Sequence, residues 1–174
     1  MKSLKSIVAL ALSVALLAAH ADPMQDAAAA LQRKDYAAAA QLLEPLARAG
    51  QAQAQLQLGS LYYHGHGVRE SNELALQWYE RAARQGLAEA QFHVGNMYAY
   101  GQAPVAPDQD TNRLAAQWYF EAASQGHAEA QYSLGILFLT GSGVTQSDVE
   151  ARKCIDRAAA QGHADAKRFQ QGRP

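Results

Sequence analysis

The chain has little of what usually stabilises small exported domains or performs catalysis. It contains one cysteine, Cys154, among 174 residues, so it forms no internal disulfide framework. Only 18% of its residues are charged and the net charge is −1. This balance argues against nucleic acid and anionic membrane surfaces as partners, because both favour clustered lysine and arginine. No H-E-x-x-H, G-x-S-x-G, S-x-x-K or phosphate-binding glycine loop occurs, so the sequence predicts neither a catalytic site nor a cofactor.

Histidine could supply metal ligands, but its spacing gives little support for this role. His64 and His66 have an H-x-H spacing that metals use, and His93 could approach them as a third ligand. No further ligand lies nearby in the sequence, so we do not predict a metal site. His127 and His163 recur in phase after glycine, which favours a structural role at a helix N-terminus.

The first 21 residues have the form of a secretory signal peptide. Lys2 and Lys5 precede an apolar run at residues 7–19, and small residues surround a cleavage site after Ala21. A retained membrane anchor is the alternative, although the run is shorter than the ~20 apolar residues that a bilayer requires. We therefore expect a periplasmic protein with no membrane insertion after cleavage, and with a net charge of −3 once both lysines are removed.

Two short motifs occur three times each, in alternation. The copies are residues 54–62, 90–98 and 130–138 for the first motif, and residues 77–86, 117–126 and 153–162 for the second. The intervals between the glycines that end the second motif are 40 and 36 residues. Self-similarity at this period indicates a solenoid of stacked helix pairs rather than a single globular core.

Each copy of the first motif has apolar residues at spacings of three and four, which place them on one helix face. Gly59 lies inside this helix, where glycine costs ~1 kcal/mol relative to alanine, and it recurs as Gly95 and Gly135. We expect these glycines to allow two helices to approach closely. Cys154 falls in the phase of Trp78 and Trp118, so we expect it to fill a core position rather than to act in redox chemistry or metal binding.

These patterns predict an all-α fold, an α/α superhelical solenoid of antiparallel helix pairs. The predicted organisation is a cleaved signal peptide at residues 1–21, a degenerate helix pair at 22–50, three repeats at 51–86, 87–126 and 127–162, and a capping segment at 163–174.

The repeats resemble Sel1-like repeats, which are relatives of tetratricopeptide repeats. That family has roughly the pattern A-x-A-Q-x-x-L-G-x-x-Y-x-x-G-x-G-V followed by A-x-x-W-Y-x-x-A-A-x-Q-G, and residues 52–86 match it closely. The resemblance extends over about residues 22 to 170. The middle repeat departs from the pattern at Ala103, and the last departs at Cys154 and Ile155, where Trp-Tyr is expected.

The resemblance implies an adaptor, because exported members of this family look like cell-envelope scaffolds. In helix-pair solenoids the first helix of each repeat lines the concave face, and its positions that differ between copies are free to contact a partner. The predicted partner-binding groove consists of Leu56, Ser60, Tyr63, His64, Phe92, Asn96, Tyr100, Tyr132, Ile136 and Leu139. Several of the apolar members could instead pack on neighbouring helices, and Tyr63 and Tyr100 are the ones that we expect to be exposed.

We therefore expect a non-catalytic, monomeric periplasmic module that binds another protein, either an envelope protein or a secreted effector, through the concave groove. Two alternatives remain open at this point. One is an immunity or inhibitor protein that neutralises a secreted toxic effector. The other is a peptidoglycan-associated enzyme or glycan binder.

Overall fold

A computed structural model describes residues 22–172. The predicted signal peptide lies outside this range. Within it the chain forms nine helices and no strand: α1 (Pro23–Gln32), α2 (Tyr36–Arg48), α3 (Ala52–His64), α4 (Asn72–Arg84), α5 (Ala88–Ala99), α6 (Thr111–Ser124), α7 (Ala128–Thr140), α8 (Asp148–Ala160) and α9 (Ala164–Gln171). None of these helices is long and apolar enough to cross a bilayer.

Each helix packs against the next one along the chain, from α1 to α9. The buried side chains form four successive clusters along this stack, as expected when each repeat contacts only its neighbours. The predicted all-α solenoid of helix pairs is therefore confirmed. We call α3, α5 and α7 the first helices, and α4, α6 and α8 the second helices.

Short polar side chains fix where the second helices begin. The Oγ of Ser71 accepts the backbone N–H of Leu74 at 3.2 Å, and the Oγ of Ser147 accepts that of Glu150 at 3.3 Å. These bonds satisfy N–H groups that have no partner inside the helix. The second helices are thereby held at a fixed register after their loops.

The glycines inside the first helices each receive a large side chain from the second helix of the same repeat: Gly59 receives Tyr79, Gly95 receives Tyr119, and Gly135 receives Ile155. A Cβ atom on Gly95 would lie 2.6 Å from the ring of Tyr119. Such a distance is far below van der Waals contact, so only glycine permits this packing. The close helix approach predicted from the sequence is confirmed.

A ladder of glutamines ties each repeat to the one before it. Buried Gln91 donates from Nε2 to the carbonyl of Ala83 at 3.2 Å, and its Oε1 accepts from Nε2 of Gln125 at 2.7 Å. The equivalent bonds join Gln55 to Ala47 and Gln85, and Gln131 to Ala123 and Gln161. A buried amide must find partners, since an unpaired one costs ~1–3 kcal/mol. The ladder therefore specifies how successive helix pairs stack.

Cys154 is buried in the cluster that also contains Tyr119 and Leu134. Burial raises the pKa of its thiol, which lowers the fraction of reactive thiolate. The expected role of a small core residue is confirmed.

Candidate functional site

Two neighbouring pockets lie along the first helices. The first has a volume of about 190 Å³ and is lined by Tyr63, His64, Tyr79, His93, Asn96, Met97, Tyr100 and Gln102. The second has a volume of about 400 Å³ and is lined by Ala99, Tyr100, Tyr119, Tyr132, Ser133, Ile136 and Leu137. Tyr100 lines both pockets and is 72% exposed. The two pockets together are called the groove.

Six of the ten residues that the sequence predicted for partner binding line this groove: Tyr63, His64, Asn96, Tyr100, Tyr132 and Ile136. They come from α3, α5 and α7 or from the residue just after α5. The repeat phase therefore brings together side chains that are more than 70 residues apart in sequence.

The prediction for Leu56 was wrong. Leu56 is only 4% exposed and belongs to the buried cluster that contains Tyr79 and Val94. Leu87, which precedes the first helix of the next repeat, packs on the same cluster. Leu56 is thus a core residue and not available to a partner.

Phe92, Ser60 and Leu139 do not line the two pockets either. Phe92 stacks on His127 with ring centroids 4.8 Å apart, which commits it to the contact between successive repeats. The Ser60 hydroxyl interacts with the phenol of Tyr79, and Leu139 packs against the last buried cluster.

Tyr63 and Tyr100 differ in exposure, although the sequence predicted both to be exposed. Tyr63 is half-buried, and its hydroxyl donates to Oε1 of Gln102 at 3.0 Å. Tyr100 directly follows α5 as its C-cap residue, and its side chain is exposed. The expectation is therefore confirmed for Tyr100 and only partly met by Tyr63.

Sequence reasoning missed Tyr79, His93 and Gln102 as groove residues. The ring of His93 stacks on that of Tyr79 at 4.8 Å and 13°. Position 93 was recognisable in principle, because Gln57, His93 and Ser133 differ between copies. Gln102 lies in the irregular loop of the middle repeat, where the repeat pattern gives no guidance.

Among residues 22–172, the groove lining includes no carboxylate, lysine or arginine. Burial raises the pKa of Tyr79 to about 12 and raises that of Tyr119 as well. Burial also lowers the pKa of His93, against an opposing effect from Glu89. Since the ordinary histidine pKa is 6.5, the His93 ring is neutral at pH 7. The pockets therefore offer aromatic surface and neutral hydrogen-bonding groups.

The histidines have structural contacts. His64 and His66 stack at 5.4 Å, and His66 stacks on Tyr36 at 4.5 Å. Within residues 22–172 no group of three or more histidine, cysteine or acidic residues is arranged to hold a metal. The Nδ1 atoms of His127 and His163 each accept a backbone N–H of the following helix at 3.2 Å, which confirms their predicted role at helix N-termini.

A solenoid of helix pairs with an aromatic groove along its first helices belongs to the class of helical-repeat scaffolds. The family model for the Sel1 repeat matches residues 52–87, 88–127 and 128–163. The chain therefore belongs to the Sel1 repeat family. Proteins of this family generally mediate protein–protein interactions, and their fold is typical of non-enzymatic scaffolds.

Solved structures agree with this assignment. A Sel1 repeat protein from Oxalobacter formigenes is 34% identical with a TM-score of 0.76, over 84% of this chain and 57% of that chain. Cysteine-rich protein B of Helicobacter pylori shares the fold at 24% identity and a TM-score of 0.56, over 83% of this chain and 94% of that one. The chain thus spans little more than half of the first relative. A comparison with curated protein sequences finds no match.

Proposed function

We propose that this chain is an exported, non-catalytic adaptor that binds a segment of another protein in the groove. The predicted signal peptide supports a periplasmic location, and the paired glutamine ladder supports a stack that is stable as a monomer. The partner is a protein of the cell envelope or one that enters it.

The exposure of Tyr100 between the two pockets is the main observation that supports this proposal. It is a large aromatic side chain that remains 72% exposed at the junction of two recesses. Aromatic side chains beside a recess are typical anchors of protein interfaces, and tyrosine is among the residues most enriched at binding hot spots. Within residues 22–172, Tyr100 belongs to none of the four buried clusters, so core packing does not account for an aromatic ring at this position.

The chemistry of the groove supports binding rather than catalysis. Among the described residues, its lining contains no carboxylate, lysine, arginine or cysteine. The pKa values of Tyr79 and His93 are shifted toward the neutral forms of both groups. General acid–base catalysis at neutral pH favours groups with pKa values near 7, and tyrosines with a raised pKa do not meet this condition.

An affinity capture from periplasmic extract tests the proposal. The bait proteins are the wild type, Tyr100→Ala, and Phe120→Ala as a matched control. Phe120 is 60% exposed on α6 and lines a separate recess between α6 and α7 rather than the groove. We expect one stoichiometric partner that binds Tyr100→Ala about 30-fold more weakly, which is the loss of a ~2 kcal/mol hot spot.

The control decides how the result is interpreted. Since both side chains are exposed, neither truncation should disturb the core, and circular dichroism checks this. A partner that is retained by Tyr100→Ala and lost by Phe120→Ala would place the interface at the recess that Phe120 lines and refute binding in the groove.

A further inference from the structure

Charge is divided unequally between the two sets of helices. The first helices carry only two formal charges, and both are negative: Glu89 on α5 and Glu129 on α7. The second helices carry charges of both signs, for example Glu80 and Arg84 on α4. The face that bears the groove is therefore weakly acidic, while the other helices are mixed.

Within the described residues, Glu89 and Glu129 have no lysine or arginine partner. On α4, Glu80 pairs with Arg84 at 2.6 Å. Within residues 22–172, no lysine or arginine forms an ion pair with Glu89 or Glu129, and Glu129 lies only near Nδ1 of His127 at 3.6 Å. Glu89 does not line the first pocket itself, but it lies on α5 one helical turn before His93, which does. A carboxylate without a lysine or arginine partner thus lies one turn from the pocket lining on the same helix face.

The two carboxamides of the first pocket have free donors. The Oδ1 atom of Asn96 accepts from the hydroxyl of Tyr119 at 2.7 Å, and Oε1 of Gln102 accepts from Tyr63 at 3.0 Å. Their NH₂ groups form no hydrogen bond with the described residues and are not fully buried. Both amides are thereby oriented by tyrosines and present N–H donors, which suit the carbonyl oxygens of a peptide backbone.

We infer that the segment bound in the groove is a peptide stretch in which lysine or arginine stands next to an aromatic or branched apolar residue. This inference rests on the proposed function and specifies its ligand. The apolar side chain enters the first pocket against Tyr79, Met97 and Tyr100, and backbone carbonyls accept from Asn96 and Gln102. The basic side chain reaches Glu89. Complementary charge of this kind sets specificity and association rate more than affinity.

The lowered pKa of His93 is consistent with this ligand. A protonated His93 would repel a cation, but burial keeps its ring neutral at pH 7. An acidic segment would find no lysine or arginine on α3, α5 or α7. Peptides with acidic residues around the aromatic anchor are therefore selected against by the same face.

Selection from a random peptide display library tests the inference. The purified protein is the target, and each enriched peptide is then measured against Tyr100→Ala, Glu89→Gln and the control Glu73→Gln. Glu73 is an exposed acid on α4, away from the groove lining. We expect enrichment of basic residues beside aromatic or branched ones, and two- to fivefold weaker binding to Glu89→Gln, as an exposed charge pair gives. Glu73→Gln should bind as the wild type does.

The outcomes distinguish the preference for basic peptides from groove binding itself. Peptides that lose affinity for Tyr100→Ala but show no excess of lysine or arginine would overturn this inference and leave groove binding intact. Peptides that bind Tyr100→Ala as well as the wild type, or a selection that enriches none, would overturn both.

Discussion

The first two repeats and the last one follow the same packing rule with different side chains. In the first two, a tyrosine from the second helix packs on the helical glycine, as Tyr79 does on Gly59 and Tyr119 on Gly95. In the last repeat, Ile155 takes this position against Gly135. All three side chains are buried, so the hydrophobic contribution is similar.

The difference lies in the residue that comes after the glycine. Opposite the tyrosines this residue is polar: Asn96 accepts from the hydroxyl of Tyr119 at 2.7 Å, and Ser60 interacts with Tyr79. In the last repeat it is Ile136, which packs on the cluster around Ile155. A buried hydroxyl requires a partner, so a core tyrosine favours a polar residue after the glycine. In the middle repeat this residue, Asn96, also lines the groove.

Exchange of the core residue in the last repeat should have the largest effect. Ile155→Tyr adds a ring to a fully buried position and places its hydroxyl near Ile136. We expect a loss of roughly 2–6 kcal/mol in the free energy of unfolding, from overpacking and an unpaired hydroxyl together. Urea denaturation measures it.

The double variant Ile155→Tyr/Ile136→Asn is the decisive control, because it recreates the pair found in the middle repeat. It should recover ~0.5–3 kcal/mol relative to the sum of the single variants. Strict additivity would show that the residue after the glycine does not depend on the side chain opposite.

Loss of the glycine in a tyrosine repeat should have a smaller effect. Gly95→Val places new atoms where the ring of Tyr119 lies, and we expect destabilisation of ~1–3 kcal/mol. A loss of stability would be informative, since replacing glycine inside a helix otherwise stabilises the helix slightly. Gly172→Val serves as the control, because a Cβ there meets only an ordinary contact of 3.7 Å. Equal unfolding midpoints for the two variants would refute the packing role of Gly95.

The smallest effect concerns pH. Burial lowers the pKa of His93 below its ordinary value of 6.5, so folding favours the neutral ring. Its contribution to stability is fully present above about pH 6.5 and is lost as the pH falls through the folded-state pKa. Glu89 opposes this shift, whereas His127 and His64 reinforce it.

His93→Gln tests this directly, because Gln57 occupies the equivalent position in α3. We expect the wild type to lose more stability than the variant between pH 7 and pH 5. The free energy of unfolding, measured by urea titration at several pH values, compares the two proteins. The free energy of unfolding of the variant should still depend on pH to some extent, since burial also lowers the pKa of His127. Parallel profiles would show that protonation of His93 is not linked to folding.

The fold was predictable because its rules are local and repeat. The helical period and the glycines at 59, 95 and 135 identify the helix pairs and their close contact. The groove was predictable only in part. The prediction treated variable positions as free of packing, but two of them contact the residue before the next helix, as Phe92 does with His127 and Tyr132 with His163. A side chain at such a position must fit the residue that it contacts in the next repeat. Variation there therefore does not by itself indicate that the position is free to bind a partner.

The glutamine ladder has a consequence for how such chains change in length. Each repeat has one glutamine–glutamine hydrogen bond within itself. Its buried glutamine also donates a hydrogen bond to a backbone carbonyl of the repeat before it. A whole repeat can therefore be duplicated or deleted by in-frame recombination without leaving any ladder amide unpaired. The number of repeats, and with it the length of surface offered to a partner, becomes a property that evolution can adjust in single steps.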